Sequence, residues 1–361
     1  MALTSSQHAV SRRRADPRSL RRKPVTLFVA ALAVAGVATL VIAMWLGGNL
    51  SQASVDGLLI GGTSSFTTWG LQASKLVMEV SSVGVIGMLL TRLLLPDQDG
   101  KPSPTARRCL RTASQLAVVW AISTFALFLF NWSDMAGMPV TDLPITKLFT
   151  DIGDTFPGVA DFVSSTAVAV MIAVGLAVTD TRLGAMVLLP LALYNLVPMA
   201  LQGHASHGTV LKYSLLVHVI VVSLWVGGLA ALLMHVRKEP AMLAVAVPRF
   251  STVALGCYVL IAASGITASW YLLGSLPTLW GSRYGVLVML KGAALIALGV
   301  FGWWHRQHTV SRIRTGEDGR ARRAFIQLAA AEVFIMVIAI ALAVTLSRTA
   351  SPDTIVLHGN L

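Results

Sequence analysis

The chain has 361 residues, of which 55% are hydrophobic and only 12% charged, about half the charge of an ordinary globular domain. The apolar residues come in long blocks, which excludes a water-soluble fold and predicts an all-α, polytopic transmembrane helical bundle. The net charge of +12 is not a nucleic-acid footprint, because the basic residues gather at the N-terminus and in a few loops, as a topology signal does.

Residues 1–24 are polar and basic, with Arg12, Arg13, Arg14, Arg18, Arg21, Arg22 and Lys23, and read as a disordered cytoplasmic tail. The apolar run that follows is longer than the 7–15-residue core of a signal peptide, so it reads as a retained first span. About nine spans are expected, at 25–46, 73–95, 109–130, 160–179, 183–202, 212–235, 250–274, 285–305 and 324–346. Each approaches the roughly 20 apolar residues that a bilayer requires. The loops 96–108, 236–249 and 306–323 are rich in Lys and Arg, and the turn Thr179–Arg182 carries Arg182. They alternate with the basic-poor loops 47–72, 131–159, 203–211 and 275–284. This alternation predicts a cytoplasmic N-terminus and a C-terminus outside. The chain divides into a five-span region at 25–202, a four-span region at 203–348 and an outward tail at 349–361. A merged helix between the fourth and fifth spans would invert everything after it.

The chemistry concentrates at Gly203–Leu232. His204 and His207 are one helical turn apart, His218 follows three turns later, and Trp225 continues that face. A helix starting near His207 would put all three imidazoles on one stripe, two at the outward mouth and one inside the bilayer. Neutral imidazole suits copper, zinc, iron and nickel, so the stripe reads as a capture site for a metal arriving from outside. The competing reading makes His204 and His207 solvated loop residues. His218 needs a partner wherever it is buried, in a site or in a helix–helix hydrogen bond. His235, His305 and His308 lie at cytoplasmic helix ends, where complementing a helix C-terminus is the simpler role.

Met135 and Met138, in an outward loop, offer soft thioethers of the kind that select Cu(I); methionines within the spans read as packing. Four charges fall in spans. Lys75 and Glu79 are one turn apart and could pair locally. Lys291 stands about 10 Å below the outer surface and Glu332 about 12 Å above the inner one, by helical rise. A Lys291–Glu332 pair, or a gating role for Glu332, is open. Cys109 and Cys257 lie in different spans, and a disulfide between them is not expected. No phosphate loop, catalytic carboxylate pair or nucleophile elbow is present, which argues against an enzyme or an ATP-driven pump.

Several stretches in order, GHASHG, HVIVVSLWVGGLAAL, ASGITASW, YGVLVMLKGAALIALGVFGWWHR and QLAAAEV, resemble the copper resistance protein D (CopD/YcnJ-like) family of integral membrane copper proteins. The specific parts are His218, Trp225, Gly227, Gly228 and Leu229, then Tyr284, Gly285, Leu287 and Lys291. The resemblance spans about residues 200–348. It implies copper as the bound ion, inward copper movement across a bacterial plasma membrane, and a role in copper homeostasis or resistance. In many actinobacterial relatives this region is fused to a cytochrome c oxidase assembly domain of the CtaG type, for which these 361 residues have no room, so the expectation is either a stand-alone copper protein or one part of a longer protein. Candidate partners besides the lipid bilayer are an extracytoplasmic copper-binding protein and respiratory oxidase subunits. Two other readings stay open: a copper-delivery factor for cytochrome c oxidase, and a b-type haem electron carrier. The haem reading requires a second histidine facing His218 at its depth.

Overall fold

The computed structural model describes residues 65–144, 158–200, 209–273, 275–305 and 319–346, residues 146 and 307, and much of 30–46. The long helices are α1 (Ser65–Leu94), α2 (Pro104–Ala136), α3 (Val159–Val178), α5 (Thr209–Ala231, extended by a π-turn at Leu232–Val236), α6 (Pro240–Leu273), α7 (Arg283–His305) and α8 (Gly319–Leu346). A shorter α4 covers Arg182–Tyr194. Seven of the described helices are long and apolar enough to cross a membrane, so the protein is an all-α polytopic helical bundle.

The chain ends its helices where its chemistry dictates. Ser103 caps α2 by accepting a bond from the Ala106 N–H at 3.2 Å, with Pro104 in the first turn where no N–H is needed. Gly137, at φ 63°, closes the same helix, and the Met138 N–H bonds back to the Ser133 carbonyl. The loop between α1 and α2 contains a tight hairpin, β1 (Asp97–Gln98) and β2 (Lys101–Pro102), turning on Asp99 and Gly100, both at positive φ. Inside the helices, Ser74, Ser81 and Thr124 return their hydroxyl protons to carbonyls one turn back. That satisfies polar side chains where no water can.

The helices outrun the apolar blocks. α1 begins at Ser65 and α6 at Pro240, eight and ten residues before the expected spans, because the mixed stretch SFTTWGLQ and the largely apolar PAMLAVAVPR both continue their helices. Pro248 sits inside α6 without ending it. The expected span 183–202 is instead a 13-residue helix containing Pro190, a turn at Asn195–Leu196, and a short helix at Val197–Ala200. Proline removes one ladder bond, and Asn195 turns its amide to the Ser165 carbonyl of α3 at 3.1 Å. The first expected span, 25–46, is described in part. Its Ala43 packs with Leu287 of α7 and Leu342 of α8.

α1 is the central helix. It packs on α2, α4 and α5, and also meets α6 and α8. Its crossing with α5 is backbone on backbone. A methyl built on Gly87 would overlap the Gly227 carbonyl, and one on Gly227 would stand 2.9 Å from the Gly87 Cα and N. Small residues allow this approach, which membrane helices use in place of a hydrophobic drive. The far end of α1 is held by arginines. Arg182 donates to the Leu93 carbonyl at 3.1 Å and Arg249 to the Leu94 carbonyl at 2.8 Å, where the helix end is negative. Arg92, fully buried, pairs with Asp97 at 2.7 Å.

Candidate functional site

His218 lies nine residues into α5, on a helix without a polar face. Its Nδ1 is 2.9 Å from the Ser264 hydroxyl of α6. That hydroxyl also donates to the Ile261 carbonyl at 3.1 Å. A hydroxyl has one proton, so with that proton on Ile261 the Ser264 oxygen accepts from Nδ1–H. In that arrangement the imidazole proton sits on Nδ1 and the Nε2 lone pair is available. A second bond, from the Ser214 hydroxyl to the Ser264 carbonyl at 2.8 Å, ties the same two helices. A Cβ on Gly265 would touch the imidazole Cε1 at 3.7 Å, so the ring lies close against the α6 backbone.

Three helices present polar groups at one level here. His218 is nine residues from the start of α5, Ser264 nine from the end of α6, and Lys291 eight from the start of α7. All three stand about 12–14 Å in from the same end of the bundle. Lys291 acts electrostatically on His218 and on Glu79 of α1. The charges acting on Glu79 are Lys75, one turn back, and then Lys291. The expected local influence of Lys75 is therefore present, and a second lysine from a distant part of the chain joins it.

A second polar place lies deeper. Trp225, about 10 Å further along α5 than His218, meets Tyr258 edge-on at 5.8 Å and 90°. Both line a cavity of about 250 Å³ that is mostly apolar and includes Ser251, Gly299, Trp303 and Glu332. Glu332 is buried, 3% exposed. Glu332 faces the Leu298–Gly302 stretch of α7, roughly 12 Å along the helix from Lys291, and the carboxylate acting on Lys291 is Glu79.

The other expected ligands divide. His204 and His207 lie outside the described residues. Met135 is exposed on the last turn of α2, whereas Met138 lies beyond the Gly137 reversal and packs against the core. The structure gives these two thioethers different surroundings. Among the described residues no three His, Cys, Asp or Glu side chains converge as a metal cage, and no second histidine stands at the depth of His218. His235 is at the opposite end, in the π-turn, with its Nε2 buried and without a hydrogen-bond partner among the described residues. Cys109 and Cys257 are both free and buried.

Sequence reading missed Ser264 as the partner of His218, and the electrostatic influence of Glu79 on Lys291. A serine one residue before a helical glycine is a packing signal as much as a site signal. The Glu79–Lys291 relation spans more than two hundred residues and is visible only once α1 and α7 are placed.

Two family models match the chain: "Copper resistance protein D-like, N-terminal domain" over residues 63–213 and "Copper resistance protein D" over residues 244–346. Together they cover well over half of it. The chain belongs to the copper resistance protein D family. The likeness thus extends over α1–α4, where the sequence offered little to match. A curated relative, Copper transport protein CutJ of Bacillus subtilis (strain 168), is 30% identical over 129 residues, 34% of this chain and 24% of the relative. The matched part is thus about a quarter of that relative's length. No solved structure matches the chain. Lys75 and Glu79 fall under the N-terminal family model, and Ser264, Lys291 and Glu332 under the other. His218 and Trp225 lie between the two.

Proposed function

We propose that this protein binds copper within a bacterial plasma membrane and carries it inward. The supporting observation is His218: an imidazole set within an apolar helix, its Nδ1 2.9 Å from the Ser264 hydroxyl, an arrangement that with the proton on Nδ1 offers the Nε2 lone pair to a metal. A ligating histidine is oriented in this way by the hydrogen bond of its other nitrogen. The positive-inside pattern of the loops puts the His218 end of the bundle outside and the arginine-held end of α1 in the cytoplasm. His204 and His207 then precede His218 as capture ligands, with Met135 and Met138 as outer helpers. From His218 the path runs past Trp225 to the Glu332 cavity, and Lys291 borders its entrance.

The test is metal content and Cu(I) affinity of the purified protein beside a variant with His204, His207 and His218 all changed to alanine. Stoichiometric copper in the wild type and its loss in the variant support the site. Equal binding by both places copper elsewhere.

A further inference from the structure

The cavity beside Trp225 and Tyr258 has a closed floor and an open side. Leu229 of α5, Val247 and Phe250 of α6, Leu298 of α7 and Phe325 of α8 line it and are buried. Leu255 of α6 and Trp303 of α7 line it too, yet they are 49% and 61% exposed. The opening therefore falls between α6 and α7, which meet far less than α7 and α8 do. The space exists because α7 turns a glycine to it: Gly302 lines the cavity, and a Cβ built there meets nothing within 4 Å. In a bundle set in a bilayer, a side opening between two spans faces acyl chains rather than water.

A charged group stands at the mouth. Arg322, Phe325, Ala329 and Glu332 share one stripe of α8 by helical spacing, and Phe325 and Glu332 line the cavity. Arg322 lies about 5 Å from Phe325 toward the start of the helix. Its Nε is buried and has no hydrogen-bond partner among the described residues. A buried guanidinium N–H calls for an acceptor oxygen, and a phosphate oxygen is the acceptor that arginine matches best. The neighbouring sequence favours an anion as well: residues 306–323 carry six arginines against Glu317 and Asp318. By the positive-inside pattern this end of α8 is cytoplasmic.

We propose that an anionic phospholipid of the cytoplasmic leaflet docks here, with one acyl chain entering the cavity between α6 and α7 and its phosphate on Arg322. The depths agree. Phe325 to Glu332 spans about 10 Å, within the roughly 15 Å of hydrocarbon that one leaflet offers. Charge selects the headgroup, since each basic side chain near the surface favours an anionic lipid by about fivefold. The exposed Trp303 and Trp304 stand at the same end of α7, where aromatic rings sit among headgroups. The docked chain supplies the wall that α6 and α7 leave open. No metal ligand takes part, so the site stands or falls apart from the copper reading.

The test places the full chain in phosphatidylcholine vesicles and titrates in phosphatidylglycerol with brominated acyl chains, which quench tryptophan on contact. Trp225 in the cavity and Trp303 at its mouth report the docked chain. Brominated phosphatidylglycerol should quench at a lower mole fraction than brominated phosphatidylcholine. Gly302→Leu fills the cavity from α7 and should remove that difference, whereas Gly292→Leu, on the same helix but away from the cavity, should keep it. A Cβ at Gly292 also meets nothing within 4 Å, so the pair controls for folding. Arg322→Gln should weaken the phosphatidylglycerol preference about fivefold, and Arg323→Gln, whose side chain is exposed, should weaken it less. Equal quenching by the two lipids in the wild type overturns the proposal. So does equal quenching of Gly302→Leu and Gly292→Leu, which puts the chain outside the cavity. Equal losses in Arg322→Gln and Arg323→Gln mean a general surface attraction and no seat at Arg322. If Gly302→Leu changes only the oligomeric mass in detergent, the occupant is a second copy of this chain and the lipid is wrong.

Discussion

Replacing Gly87 by alanine should be among the most damaging single-methyl changes in this protein. The added Cβ meets no flexible side chain. It meets the main-chain carbonyl of Gly227, while Gly227 itself sits against the Val83 carbonyl and the Gly87 backbone. Neither helix can rotate a side chain away, so α1 and α5 must separate. Overpacking costs about 1–3 kcal/mol where neighbours can adjust; with backbone on both sides, the cost belongs at about 3 kcal/mol. Separation also loosens the contacts that seat α5, and with it His218. The assay is thermal unfolding of the purified protein in detergent, followed by tryptophan fluorescence. Gly256→Ala is the control, because a Cβ there meets nothing within 4 Å and should be neutral or stabilising by up to about 1 kcal/mol. If Gly87→Ala and Gly256→Ala melt alike, the two backbones are not in contact and the proposed crossing is wrong.

Ser264→Ala removes the hydroxyl that holds His218 Nδ1 at 2.9 Å. Copper or Ag⁺ affinity should fall about tenfold, the lower end for an outer-shell partner, with stability down by only about 1 kcal/mol; unchanged affinity would show that the hydroxyl only packs helices. The Arg92–Asp97 pair should respond asymmetrically. Asp97→Ala leaves a fully buried guanidinium whose Nε and Nη1 already have no partner among the described residues, and should cost about 3 kcal/mol. Arg92→Met fills the same space and leaves Asp97 at 30% side-chain exposure, so its melting temperature should lie closer to the wild type.

Sequence and structure agree where one residue type decides the outcome. Long apolar blocks made the bundle legible, and a histidine inside one marked His218. The apolar count failed at helix ends and at proline. α6 runs on through Pro248, while the block at 183–202 is divided after Pro190, and composition alone does not separate these cases. The site was half legible for a related reason. Ligand identity is local and can be read from a residue and its spacing. Charge partnership is a property of depth and of neighbouring helices, so a Lys291–Glu332 pair stayed open in the sequence and the influence of Glu79 on Lys291 was not visible there.

The arginines at the end of α1 have a mechanical consequence. A helix gripped at one end by Arg182 and Arg249, locked to Gly227 two turns from that end and packed on several sides behaves as a stator. α7 is its opposite: Leu290, Ile296, Val300, Trp303 and Trp304 stand exposed along it, and its main packing is to α8. Any stroke that opens this bundle first to one side and then to the other falls to the helix with the fewest anchors. That helix carries Lys291, so the separation between Lys291 and Glu79 is the gauge on which such a stroke would register.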